Sequence, residues 1–227
     1  MKHFSEIYAL AATRKGGETA LETLLADSYF PTRTTAELES LGDDRYLSDI
    51  SRRVFQAGFN WKVIDNKWDG FEEAFDGFDP RRWRMMTDED LDRLLADERI
   101  VRHAKKILSV RDNAHFLCEL ADEHGSAAKA IARWPARDFV GLLTLMKEKG
   151  SRLGGTTAQY MLRGIGKDSF LLSKDVVSAL IREGVVDKAP GSKKTLRQVQ
   201  DGFNHWLEQG GGSLTRISRI LAMSTSD

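Results

Sequence analysis

The sequence predicts an all-α protein of about ten to twelve short helices. Three observations predict it. Only four prolines occur, Pro31, Pro80, Pro135 and Pro190, and each falls where a periodic segment stops. Between them, apolar residues recur at helical spacing. No segment alternates as a strand would, and no internal repeat is present.

The elements follow in chain order. Ile7, Leu10 and Ala11 form a short stripe that Arg14-Lys15-Gly16-Gly17 ends. Leu21, Leu24 and Leu25 form a second. Thr34 or Thr35 caps a short helix that ends at Leu41-Gly42. Asp43-Asp44 opens a stronger helix with Leu47, Ile50, Val54 and Ala57 on one face, closed by Gly58. Thr87-Asp88-Glu89-Asp90 reads as a capping box with acidic residues where the helix dipole favours them, and Leu91, Leu94 and Leu95 follow. Ala104 to Ala121 is a long helix with Ile107, Leu108, Val110, Ala114, Leu117 and Cys118 spaced for burial. Phe139 to Met146, Thr156 to Leu162, Val176 to Ile181, Leu196 to Leu207 and Leu214 to Ala222 complete the set. Gly210-Gly211-Gly212 reads as a flexible joint, and Ser224 to Asp227 as a fraying end.

Composition bounds the function. The chain has 227 residues, 41% hydrophobic and 30% charged, enough for a core without staples. One cysteine, Cys118, excludes a disulfide framework and a zinc site of four cysteines or of two cysteines and two histidines. His115-x-x-Cys118 is half a metal site with no second half. No apolar run spans a bilayer, and the N-terminus turns polar too soon for a secretory signal, so the expected compartment is the cytoplasm. Net charge is zero, but from Ala136 onward 14 Lys/Arg face 9 Asp/Glu, a mildly basic half suited to a local anion site.

Two glycine turns compete for that role. Lys149, Gly150, Arg152, Gly154, Gly155, Thr156 and Thr157 lie between two helical stretches. Glycines permit close approach, the cations flank it, and Thr156 or Thr157 can cap the helix whose amides point outward. It is not a P-loop, and a plain charged connection remains the alternative. Arg163-Gly164-Ile165-Gly166-Lys167-Asp168 is the rival turn. Among the aromatics, Phe55, Phe59 and Trp61 cluster after the Asp43 helix. Gly58 and Asn60 put Trp61 on a bend, where an indole can stack on a flat base. Phe71 and Phe75 read as core. No nucleophile elbow is present, and Cys118 sits on an apolar stripe where it packs.

Gln56-Ala57-Gly58-Phe59-Asn60-Trp61, Phe71-Glu72-Glu73-Ala74-Phe75 and Phe78-Asp79-Pro80 open an ordered series of motifs. It continues through Met86, Asp88-Glu89-Asp90, Leu94, Ile100-Val101-Arg102-His103, Lys105-Lys106-Ile107 and Asn113-Ala114. It resumes at Lys149-Gly150, Gly155-Thr156-Thr157 and Tyr160. Over roughly Asp43 to Gly184 the chain resembles the 3-methyladenine DNA glycosylase I family. The resemblance implies a helix-hairpin-helix DNA glycosylase-like bundle over 43–227, with 1–42 as a helical extension. It implies a base-excision repair protein that binds duplex DNA and flips a damaged, alkylated purine. The base would meet Trp61 in a pocket with Phe55, Gln56, Phe59, Arg53 and Tyr29, beside a phosphate held at 149–157. Phe30 stands with Tyr29 as a replacement for an aromatic segment that the family carries near its start. Water would attack C1′, with no lysine imine. No cofactor, no metal and no membrane are implied, and the protein is expected to be a monomer.

Departures from the family pattern matter. Three residues before the glutamine the family carries a glutamate; here stands Arg53. The family's C-terminal zinc positions read as Asp175 and Ala179, and an early cysteine is missing. A 3-methyladenine nucleotide is cationic. Like charges about 4 Å apart cost on the order of 4 kcal/mol at an effective dielectric of about 20, against roughly 1–3 kcal/mol from stacking. Asp49, one turn before Arg53, can pair with it. The carboxylate candidates are Asp49 and Asp175. Ser173 aligns with the aspartate that many helix-hairpin-helix glycosylases carry after the hairpin, and Asp175 lies two residues later. Asp175 also reads as a helix cap. The alternative functions are a non-catalytic DNA-binding relative and a helical protein-interaction scaffold.

Overall fold

The structure, a computed structural model, describes residues 1–27 and 30–225. The expected all-α architecture is observed. Fifteen α-helices and two 3-10 turns occur among the described residues, and no strand does. The helices exceed the expected number because four short ones, α5, α6, α7 and α10, carry too few residues to show a periodic stripe.

The chain forms two units. One comprises 33–134 and 142–165; the other comprises 1–32, 135–141 and 166–227. Packing, not chain order, sets the grouping: the first 32 residues join the C-terminal helices, whereas the boundary expected from the sequence lies at 42.

The first unit is built on α3 (Thr35–Ser40), α4 (Asp43–Gln56), α5 (Trp61–Asn66), α6 (Trp68–Ala74), α7 (Pro80–Trp83), α8 (Asp88–Ala96), α9 (Ala104–His124), α10 (Ala127–Arg133) and α12 (Thr157–Gly164). The α4 stripe buries Leu47, Ile50 and Val54 against α9, which contributes Ile107, Val110, Ala114 and Leu117. Phe71, Phe75, Phe78 and Trp83 are fully buried; Phe71, Phe75 and Phe78 stack in series, with Phe75 and Phe78 4.9 Å apart, and Trp83 tilts against Phe75 at 4.8 Å. Burying each such side chain contributes roughly 1.5–3 kcal/mol to stability. Thr34 caps α3 and Thr87 caps α8, both as capping boxes. The α10 N-terminus is held from afar: Asp43 accepts from the amides of Ala127 at 3.1 Å and Ala128 at 2.8 Å.

The second unit holds α1 (Phe4–Arg14), α2 (Glu18–Ala26), α13 (Lys174–Arg182), α14 (Lys193–Glu208) and α15 (Leu214–Met223). Helix α11 (Phe139–Lys149) crosses from this unit into the other. Here α15 packs against α1 and α13, and Phe170 joins Phe139 at 4.8 Å and Phe203 at 4.4 Å. Two expectations fail here. The triple glycine is a tight helix stop: Gly211 is buried and its amide donates to the Trp206 carbonyl at 2.9 Å. Ser224 does not fray, because it is buried and its carbonyl accepts from Arg182 at 2.8 Å. Residues 226–227 lie outside the described residues.

Candidate functional site

The candidate site lies in the unit of 33–134 and 142–165. Helix α4 ends at Gln56, and Asn60 then caps α5 by accepting from the Lys62 amide at 3.0 Å. Trp61 is therefore the first residue of a helix, not a loop residue. Its indole is 40% exposed and meets Tyr160 of α12 edge-on at 5.1 Å. Phe59 is equally exposed, with the Lys106 ammonium 4.4 Å from its ring centroid. Phe55 differs: it is fully buried edge-on against Phe71 at 4.6 Å, and so belongs to the core of the unit, not to an open face. Tyr29 lies outside the described residues.

Arg53 faces Trp61. It is only 8% exposed, and its guanidinium carbon lies 5.6 Å from the indole centroid. Its Nη1 donates to Gln56 Oε1 at 2.8 Å, and Gln56 Nε2 donates to Asp65 Oδ1 at 2.8 Å. Arg52 grips the same carboxylate at 2.8 Å. Asp65 thus anchors a chain that fixes the Gln56 amide with its oxygen toward Arg53. Asp49 sits on the same face of α4. Burial pushes its carboxyl pKa up, and Arg53 leads the arginines that oppose the shift.

Lys106 reaches back from α9. It is 5% exposed and donates to the carbonyls of Phe55 at 3.0 Å and Ala57 at 2.6 Å. It holds the end of α4 from which Trp61 departs. Burial, with a smaller contribution from Arg152, lowers its pKa to about 8.

The 149–157 turn joins α11 to α12. Lys149 and Arg152 are exposed, and Lys149 stands 3.9 Å from exposed Glu119, a surface pair of little strength. Arg152 adopts φ +63° and Gly155 φ +61°. At Gly150 only hydrogen fits, since a Cβ would lie 2.6 Å from Leu153 Cδ1 and 2.7 Å from the Met146 carbonyl. Asn113 clamps the turn: its Oδ1 accepts from the Ser151 amide at 2.8 Å and its Nδ2 donates to the Ser151 carbonyl at 3.0 Å. Thr156 occupies the cap position of α12, but neither it nor Thr157 caps with its hydroxyl. Thr157's amide donates to the Gly154 carbonyl at 3.3 Å, while the Gly155 and Thr156 amides have no intramolecular acceptor among the described residues. The turn therefore presents open donors in the same segment as two exposed cations, an arrangement suited to a phosphate.

Asp175 lies in the other unit, exposed in the first turn of α13. The cap there is Ser173, which accepts from the Val176 amide at 3.3 Å, so the cap expected of Asp175 belongs two residues earlier. Sequence reasoning singled out neither Asp65 nor the clamp at Asn113. Asn113 had a signal: a buried polar residue on an apolar helical stripe needs a partner.

Comparison with known proteins bears on this unit above all. The family model described as methyladenine glycosylase matches residues 39–160. The DNA-3-methyladenine glycosylase 1 of Escherichia coli (strain K12) is 37% identical over 65 residues, which cover 29% of this chain and 35% of the relative. The DNA-3-methyladenine glycosylase of Haemophilus influenzae (strain ATCC 51907 / DSM 11121 / KW20 / Rd) is 34% identical over 59 residues, covering 26% and 32%. The matched segment thus spans about a third of each curated relative. A structure of 3-methyladenine DNA glycosylase I from Staphylococcus aureus aligns at TM-score 0.48 and 23% identity, over 55% of this chain and 77% of that one. The family match covers more than half of the sequence, and the chain belongs to the methyladenine glycosylase family.

Proposed function

We propose that this member of the methyladenine glycosylase family is a DNA glycosylase-type repair protein. It binds duplex DNA at the 149–157 turn, extrudes one damaged purine against Trp61 and hydrolyses its N-glycosidic bond. The observation that carries the reading is the exposed Trp61 indole, fixed at the head of α5 in the same unit as a turn with open amides and flanking cations. A flat base gains roughly 1–3 kcal/mol on such a ring. Extrusion costs a few kcal/mol and is cheapest for a damaged base.

The chemistry asks little of the protein. The bond between C1′ and the base nitrogen breaks with its electron pair leaving on the base. Water adds its oxygen to C1′ and sheds a proton, which goes to solvent when the nucleotide is cationic and its base leaves neutral, and to the base when the nucleotide is neutral. The residues hold the base and orient it. Asp49, which lies in the same unit as Trp61, is the carboxylate proposed to stabilise the positive sugar, and base release by Asp49→Asn tests it.

The test is incubation with methylated duplex DNA, chromatography of any released base, and DNA affinity across a salt series. Salt-steep affinity with base release is the expected result. Salt-steep affinity without release of any base favours a binder without catalysis. Affinity indifferent to salt overturns the reading.

A further inference from the structure

We propose that Lys106 is a positioning residue of the base site: from α9 it caps the end of α4 and keeps the Phe59–Trp61 stretch in register with the 149–157 turn. The inference rests on the reading of Trp61 as the stacking platform and of that turn as the phosphate contact. It deepens both by naming what holds them in register.

Helix α4 ends with two carbonyls that its own chain does not satisfy. After Gln56 the backbone turns at Gly58, φ +79°, and the Phe59 amide donates to the Gln56 carbonyl at 3.1 Å. Among the described residues no backbone amide donates to the Phe55 or Ala57 carbonyl. The Lys106 ammonium donates to both, at 3.0 and 2.6 Å. Its charge stands at the negative end of α4 and 4.4 Å from the Phe59 ring centroid. One side chain thus grips the helix end, the turn and a ring just before Trp61 opens α5.

The same helix serves the phosphate turn. Asn113, which clamps Ser151, follows Lys106 by seven residues, about two helical turns further along α9. Both are buried, at 5% and 1% exposure. Helix α9 therefore sets the platform through a lysine and the turn through an asparagine. A base extruded from a held phosphate meets its platform productively only when the two keep a fixed geometry.

Stability alone does not account for a cation here. The titratable and charged groups around it are Arg152 of the turn, Arg53 in the last turn of α4, and His103, whose ring meets Phe59 edge-on at 6.3 Å. Burial, and then Arg152, opposes the charge, so the fold bears a cost to keep it near neutral pH. What the charge supplies is a firmer hold, since a charged donor bonds a carbonyl more strongly than a neutral amine does.

The test uses a duplex with one ethenoadenine, an alkylated purine whose fluorescence changes when it leaves the base stack. Anisotropy reads duplex affinity, and the emission change at saturation reads base capture. The forms compared are the wild type, Trp61→Ala, Lys106→Met and Lys106→Arg, with circular dichroism to confirm folding. Lys106→Met should hold the duplex within twofold of wild type and lose about tenfold in base capture. Lys106→Arg, which keeps a charge and its donors, should recover most of that loss. As pH rises through about 8, wild-type capture should fall severalfold while Lys106→Arg stays level. Should Lys106→Met not fold, this pH profile decides the matter. Undiminished capture by Lys106→Met overturns the inference, and so does a level wild-type profile. A loss of duplex affinity that matches the loss of capture also overturns it, because Lys106 would then serve the phosphate itself. Capture that survives Trp61→Ala, or no capture by any form, brings down the platform reading and the inference with it. Salt-steep affinity would still leave the turn standing.

Discussion

Two glycine turns in this chain look alike in sequence and differ in how their polar groups are engaged. In the 149–157 turn Lys149 and Arg152 are exposed, and the Gly155 and Thr156 amides have no intramolecular acceptor among the described residues. In 163–168 the polar groups are turned inward. Arg163 and Lys167 are buried, the Ile165 carbonyl accepts from Arg33 at 2.8 Å, and Gly164 packs against Arg53 and Asp49. Asp168 gives both oxygens to the head of α15, accepting from Leu214 at 3.1 Å and Thr215 at 2.8 Å. The lesson is that a glycine pattern does not make an anion site. What matters is whether the amides and cations are already engaged.

The sharpest way to break this comparison is charge reversal. Lys149→Glu with Arg152→Glu should weaken duplex binding roughly a hundredfold at low salt and lower the salt slope by about 2. Unchanged affinity in a fluorescence anisotropy titration would end the assignment of the turn. Next in size is Gly150→Ala, whose Cβ has no space; overpacking of this kind costs about 1–3 kcal/mol in urea unfolding. Asp168→Ala should cost about 1–2 kcal/mol through the lost cap on α15, yet leave DNA affinity within twofold. A large affinity loss there would place function in the wrong turn.

The smallest effect expected is a pH dependence. Burial depresses Lys106 from 10.5 to about 8, so between those values the unfolded chain binds the extra proton. Its stability contribution is therefore fully present above pH 10.5 and is lost as pH falls through about 8. Stability of the wild type relative to Lys106→Met should rise from pH 8 upward. A flat difference between the two melting curves would contradict the burial.

Much of the fold was legible because the long helices carry an apolar stripe and some shorter ones a local cap. Helices α4, α9 and α14 show the stripe, and Thr34 and Thr87 mark the starts of the shorter α3 and α8. The short helices were not. Four to seven residues hold too few apolar positions, and part of what secures α10 is Asp43, 84 residues distant from Ala127 in sequence. At the site, Gly58 and Asn60 flagged Trp61 as prominent, though not as the start of α5. The direction of Arg53 was illegible, because it depends on Gln56, Asp65 and the missing side chain at Gly164, which only tertiary structure brings together. The Arg53 change itself stood out only against the family pattern.

Asn113 carries a consequence for binding kinetics. Ordering a backbone residue costs about 1–2 kcal/mol of conformational entropy. The two hydrogen bonds between Asn113 and Ser151, one donated and one accepted by the amide side chain, fix the turn while the chain folds. A ligand that arrives there meets preorganised donors and bears little of that ordering cost. Asn113→Ala should therefore weaken duplex binding severalfold while the salt slope stays constant, since no charge is removed. The effect would appear in how long an encounter lasts, through a surface as electrostatically attractive as before but no longer held in shape.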